Sequence, residues 1–411
     1  MNLVYFSLSV ICFVLGWLSR GKLFNPLSAF SAIWILVVAL SNLMLSGWQR
    51  PINDSTYMVL IAMQISFAIL YFLGNGLRLK EITKPVLRLS VSPEQLNALF
   101  KIWLAIEIIE ILYSGGLPIL WHLLGTGKTY FDFGIPSVHG LMNSLGLVIL
   151  LIASLLILDG KDENHHFRRI CIFIFLFYLC LVTRQVIVSA GIELIIVIYL
   201  RKPQLIIHKL VPVALLSIIL FGVVGNLRTG YEAFMYVSLI RSDIPELFVG
   251  FYWVYMYLSM TITNINNLVA MNLDPVGMNA LSGFIPTVFA PLFGIDTGFF
   301  TADYLVTSAF NVSGFFVYFY QGFSILGVIV ISAAYGLIGG ISYRKFSEDP
   351  CERNILLLAI AMQIVLLSFF DNMLLYLPSS FQFVVVLLLY RRKSIDALER
   401  INYLSKKTDG D

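Results

Sequence analysis

Eleven apolar runs divide the sequence, at 3–18, 26–45, 56–73, 96–112, 141–158, 170–182, 186–200, 210–225, 323–342, 354–370 and 379–390. Most approach the roughly 20 residues that a helix needs to cross the hydrocarbon core of a bilayer. In hydrocarbon each backbone N–H and C=O must find its partner within the segment, which makes such runs helical. Hydrophobic residues make up 59% of the chain and charged residues 12%. Soluble domains carry roughly 25% charge, so a water-soluble fold is excluded. The expected fold is an all-α polytopic integral membrane protein, a single transmembrane domain over 1–411 with about eleven spanning helices. Leu3–Leu18 lacks a basic leading region and a small-residue cleavage site, and reads as a retained first helix.

The placement of positive charge orients these runs. Segments 19–25, 74–95, 159–169, 201–209, 343–353 and 391–411 hold 21 of the 27 lysines and arginines. By the positive-inside rule they are cytoplasmic, including the tail 391–411. The alternate segments hold only Arg50, Lys128, Arg184, Arg228 and Arg241, with Lys101 at the inner start of the fourth run. The N-terminus is therefore expected outside and the C-terminus inside. Nothing in this distribution points to nucleic acid; the partner it implies is the lipid bilayer.

Most outer connections are short, but 114–140 and 226–322 are long. The first is dense in Gly, Pro and aromatics, which predicts irregular backbone with a short interfacial helix around Pro118 to Leu124. In the second, the aromatic run Leu247 to Tyr257 is too short for a crossing and is expected as a re-entrant or interfacial helix roofing a cavity. Runs 170–182 and 186–200 are expected to form a hairpin with Thr183, Arg184 and Gln185 at its outer tip.

Ionisable groups inside spans are expensive and are functional candidates for that reason. Glu107 and Glu110 lie three apart, on one helical face. They could ligate a cation, shuttle protons, pair with arginine or simply join neighbouring helices; Glu193 carries the same choices. Arg184 and Arg228 are outer arginines that the positive-inside rule leaves unexplained. A guanidinium suits phosphate or carboxylate, and two would suit a diphosphate at the membrane surface, unless they pair with the span glutamates. Arg241, beside Asp243 and Glu246, fits a local ion pair. His139, at the mouth of the fifth run, could take a proton from a hydroxyl or serve as a capping residue. Tyr130, Asp132 and Asp303 are the other outer polar candidates, and Asn264, Asn266 and Asn267 could hydrogen-bond sugars or cap a helix. The histidines do not form a three-ligand metal set. No P-loop, GxGxxG, GxSxG or HExxH occurs, and the four cysteines show no CxxC pairing.

YFDFGIPSVHGL after the Gly/Pro outer loop, LVTRQ at the hairpin tip, GNLRTG after the next run and NVSGFFVYFYQGFSILG leading into the late run occur together in that order. Over roughly 110–345 the chain resembles the bacterial O-antigen polymerases, which join oligosaccharide repeat units; Gln321 stands near a position where these enzymes often show an acidic residue. The resemblance implies a lipid-dependent glycosyltransferase of GT-C-like architecture in the bacterial inner membrane, acting at the periplasmic face on undecaprenyl-diphosphate-linked oligosaccharide. It implies that Arg184 and Arg228 bind the diphosphate without a metal or other cofactor. It also implies that His139 accepts the acceptor proton ahead of Asp132 and Glu110, and that Tyr130, Asn264 and Asp303 contact glycan. A chain-length regulator and a flippase of the same pathway are the implied protein partners. An O-antigen ligase shares the donor and the side of the membrane. A lipid-linked oligosaccharide flippase, or a proton-coupled transporter using Glu107, Glu110 and Glu193, are more distant alternatives.

Overall fold

The computed structural model describes residues 1–18, 25–77, 86–87, 90–205, 212, 230–241, 245, 248–284, 303–390 and 393–394. The described chain is helical apart from an antiparallel pairing of β1 (Val86–Leu87) with β2 (Lys393–Ser394). The helices are α1 (Asn2–Leu18), α2 (Pro26–Ser41), α3 (Asp54–Gly76), α4 (Pro93–Ser114), α5 (Pro118–Leu124), α6 (Val138–Leu158), α7 (His166–Cys180), α8 (Arg184–Arg201), α9 (Tyr231–Ser238), α10 (Val249–Met271), α11 (Val317–Glu348), α12 (Glu352–Leu366) and α13 (Leu377–Leu389). Among the described residues, four stretches are long and apolar enough to cross a membrane: Asp54–Gly76, Pro93–Leu124, Val138–Leu158 and Val317–Glu348. The chain is thus consistent with a helical membrane protein. Run 210–225 lies outside the described residues.

The chain divides into two compact units. The first comprises Met1–Asn75, Pro203–Arg344 and Ala361–Tyr376. Its α1 packs against the start of α2, where Asn25 caps α2 by accepting from the Ser28 N–H at 2.9 Å and Ser28 Oγ donates to the Phe13 carbonyl at 3.0 Å. Such side-chain caps satisfy helix-end groups that would otherwise lack partners. Aromatic rings fill the interior: Phe30 stacks on Phe67 at 3.9 Å, and Phe315 lies edge-on to Trp34. α3 and α11 cross with their backbones nearly touching. A Cβ on Gly336 would strike the Phe67 carbonyl, and one on Gly340 the Tyr71 carbonyl. Gly336 and Gly340 form a GxxxG pair, the small-residue spacing that lets membrane helices approach closely. α11 breaks at Phe323 and Ser324, where the backbone leaves the helical region. The expected late span therefore begins at a kink.

The expectation of a short helix at Leu247–Tyr257 is corrected. α10 continues for 23 residues to Met271, and most of its side chains are buried. Its length is supported by packing: Trp253, Tyr255, Met256 and Met260 form a core with Phe234, Phe310 and Val312. Asn264 and Asn266 prolong the helix because their side chains find backbone partners from distant segments, which offsets the cost of burying amides.

The second unit comprises Gly76–Lys202, Lys345–Ile360 and Leu377–Asp411. α6 is its central helix, buried almost continuously from Asn143 to Leu156. Trp103 on α4 donates to the Met142 carbonyl at 3.1 Å, and Tyr178 on α7 donates to the Asn143 carbonyl at 3.1 Å. The hairpin of α7 and α8 turns at Leu181–Thr183, two residues ahead of the expected tip. α5 covers the expected interfacial helix residue for residue.

Candidate functional site in the second unit

α4 has the inverse of a soluble helix's amphipathicity. Trp103, Glu107, Glu110 and Ser114, spaced three to four apart, are buried on one face, whereas Ile102, Ile108, Ile109, Leu112 and Tyr113 are exposed. An apolar outer face suits lipid, and it forces both carboxyls toward protein. The helix starts with a capping box between Ser92 and Gln95, and ends at Gly115 in the left-handed region.

Beyond that end, segment 114–140 folds back over the last turn of α4. Ser114 Oγ accepts from the Gly134 N–H at 2.8 Å, and Glu110 Oε1 accepts from the Ile135 N–H at 3.1 Å. Lys128 caps the helix by donating to the Ser114 carbonyl at 3.3 Å and lies 5.0 Å from the Trp121 ring centroid. These contacts deliver the first turn of α6 to Glu110. Glu110 Oε2 lies 2.8 Å from His139 Nδ1, and His139 Nε2 lies 3.0 Å from Asn143 Nδ2. With Glu110 accepting, Nδ1 carries the hydrogen and Nε2 is the basic nitrogen. Glu110 is fully buried, while 13% of the His139 side chain is accessible.

The His139 ring is confined by Phe133 at 5.2 Å and Tyr130 at 5.9 Å, both roughly edge-on. Gly134, with φ of 90°, passes so close that a Cβ there would sit 2.7 Å from His139 Cγ. Ser137, immediately before α6, has φ of 66°, a strained value for a residue with a side chain. The tight backbone around His139 is thus the local consequence of a Gly-Ile-Pro-Ser segment.

Glu107 lies one turn deeper and is fully buried, and among the described residues neither of its carboxylate oxygens has a partner that meets hydrogen-bond geometry. One ligand atom each from Glu107, Glu110 and His139 lies within 4.8 Å of the others. The histidines alone predicted no three-ligand set, and it is the two carboxylates that complete this one. Two carboxylates and an imidazole are donors that suit zinc or a first-row metal. In the arrangement described, both ring nitrogens of His139 are instead occupied by Glu110 and Asn143, which fits proton handling.

The other sequence candidates fall elsewhere. Asp132 is exposed and closes a 3-10 turn by accepting from the Thr129 N–H and hydroxyl. Those bonds, led by the backbone N–H, hold its carboxyl below the usual range, which makes it a poor base. Arg184 is the first residue of α8, but its side chain is not among those described; Arg228 lies outside the described residues. Asp303, in the first unit, is exposed. Asn264, in the same unit, is fully buried, donates to the Phe310 and Val312 carbonyls and accepts from the Val306 N–H. Its amide is committed to holding loop 304–312 against α10. Asp243 and Glu246, expected beside Arg241, lie outside the described residues. Glu193 is buried and accepts from Gln382 Nε2 at 3.0 Å.

Two polar residues escaped the sequence reading. Asn143 is one turn after His139, and the i, i+4 spacing was its only signal. Asp371, in the first unit, follows α12 in the dipeptide Asp371-Asn372; burial pushes its carboxyl up to about 6.

Comparison of the chain with family models, with curated proteins and with solved structures finds no match.

Proposed function

We propose that this protein is an O-antigen polymerase-like glycosyltransferase of the inner membrane, with eleven spans, a periplasmic N-terminus and a cytoplasmic C-terminus. It would transfer the growing glycan from undecaprenyl diphosphate to the terminal sugar of an incoming lipid-linked repeat unit. The observation that carries this reading is the Glu110–His139 pair, held at the outer end of an apolar helix by a polar, aromatic loop. A carboxylate that holds the hydrogen on one nitrogen of an imidazole leaves the lone pair on the other, which can act as a base. His139 Nε2 would receive the acceptor hydroxyl's proton as that oxygen attacks the anomeric carbon, once the acceptor hydroxyl has taken the place of the Asn143 amide at that nitrogen. The bond to the lipid diphosphate breaks in the same step, and Glu110 stabilises the imidazolium formed. Arg184 and Arg228 would meet the charge of the departing diphosphate.

The proposed sidedness draws support from contacts within each unit. Ser46 pairs with Ile240, and Trp48 donates to the Val237 carbonyl, joining segments the charge map puts outside. β1 pairs with β2, and Asp159 bridges to Arg201, joining segments it puts inside.

Deleting the gene should reduce the surface polysaccharide ladder to a single repeat on the lipid core. A core without any repeat, with polymer on the lipid carrier, would instead indicate ligation, and an unchanged ladder would sink both readings. Arg184→Ala and Arg228→Ala should each abolish extension while the protein still inserts, whereas Arg241→Ala should be mild. Full-length polymer from either of the first two would remove the diphosphate role. Gly134→Ala, which crowds His139, should lower extension at least tenfold while leaving membrane accumulation near the parent level, both read by gel.

A further inference from the structure

The first unit contains a cavity of about 660 Å³ that the proposed chemistry does not use. Its size falls in the roughly 300–1,000 Å³ range of small-molecule sites. Trp48, Arg50, Asn53, Thr263, Asn266 and Asn267 contribute to its wall. All lie on segment 46–53 or on α10. Asn266 fixes the two together: its Oδ1 accepts from the Asn53 N–H at 2.9 Å and from Thr56 Oγ1 at 2.8 Å, and its Nδ2 donates to the Pro51 carbonyl at 3.2 Å. The wall is therefore braced before any ligand arrives.

Its uncommitted groups define the ligand. Trp48 is half-buried with its indole N–H spent on the Val237 carbonyl at 2.9 Å, which fixes the ring. A fixed ring offers an apolar face on which the C–H side of a sugar can lie. Asn267 uses its Nδ2 on the Tyr304 carbonyl at 2.8 Å, and among the described residues its side-chain oxygen and the exposed Asn53 side-chain amide make no bond. Arg50 is exposed and has no ion-pair partner among the described residues; the adjacent Asp54 faces the N-terminal ammonium at 3.6 Å. A guanidinium that meets no carboxylate among the described residues is suited to a bidentate one from a ligand.

We propose that this cavity is a glycan subsite for a sugar bearing a carboxylate, a uronic acid residue, stacked on Trp48 with its acid on Arg50 and its hydroxyls on Asn53 and Asn267. The ligand class rests on the glycosyltransferase reading, and the binding itself can be measured without it. The test is saturation-transfer NMR on the full chain in a neutral detergent, with digalacturonic acid as probe and inorganic phosphate as competitor. The parent protein should transfer saturation to the sugar ring protons, and Arg50→Ala and Asn53→Ala should each reduce the signal at least fivefold. Both residues are exposed, so these variants keep the fold even if Trp48→Ala does not. No transfer in the parent, equal transfer in both variants, or complete displacement by equimolar phosphate would overturn the subsite, the last by marking a plain anion or lipid-phosphate site. Binding together with an unchanged ladder in the deletion strain would remove the polymerase reading and keep the subsite. A collapsed ladder with no binding would do the reverse.

Discussion

Glu110→Gln should reduce chain extension by about 10²-fold or more, the range over which a positioned acid–base pair typically contributes. Glutamine preserves the shape and the contact to the Ile135 N–H, but it cannot offer a carboxylate to His139 Nδ1 or balance an imidazolium. His139→Gln should match it, and the double variant should be little worse than either alone, because residues acting as one unit lose their joint contribution once. The readout is ladder length on gels from cells with equal membrane levels of each variant. Additive losses in the double variant would show that the two side chains act separately, and a normal ladder from either single variant would remove the pair from the chemistry. Glu107→Gln is the informative control. It keeps the volume of a buried side chain, so retention of activity would separate the pair from its deeper neighbour.

Gly336→Val should have the largest effect on stability. A Cβ at that position strikes the Phe67 carbonyl, and backbone cannot move aside as the end of a flexible side chain can. Overfilling a packed contact costs about 1–3 kcal/mol, occasionally more. A Cβ on Gly74 would likewise come within 2.7 Å of the Leu337 carbonyl, so α3 and α11 are in close contact over more than one turn, and separating them at Gly336 loosens the whole crossing. The variant should unfold at clearly lower temperature in detergent and accumulate poorly in membranes, while Gly76→Ala, at an open position, should leave both unchanged. A parent-like melting temperature for Gly336→Val would mean that the crossing is looser than described.

The parts of the fold that were legible in the sequence are those governed by short spacings. Glu107 and Glu110 share a face because three residues make most of a helical turn, and α5 stops at Gly125 because glycine accepts the left-handed conformation found there. α10 was misjudged because its second half is rich in Thr and Asn. Those residues end the aromatic run from which the helix was bounded, and their partners, Phe310 and Val312 for Asn264 and Asn53 for Asn266, lie dozens to hundreds of residues away. For the same reason Asn264 looked like a sugar ligand when its amide is a clamp. The proximity of His139 to Glu110 depends on how the Gly/Pro-rich segment between them folds back, and composition shows only that the backbone there is irregular. The Gly336/Gly340 pair is visible as a motif, but nothing local to it identifies α3 as the helix it meets.

The burial of Glu107 and Glu110 also bears on how the chain enters the membrane. During synthesis α4 emerges first, and the imidazole that partners Glu110 follows 29 residues later, beyond α5 and the returning loop. Acidic groups within an apolar helix are costly to insert without a polar partner, and α4 carries Glu107 and Glu110 in its second half. α4 is therefore unfavourable as a solitary passenger, and it gains a polar neighbour only once α6 has been made. The two helices should leave the insertion machinery as a pair, and the loop that shapes the site doubles as the tether that keeps the first waiting for the second.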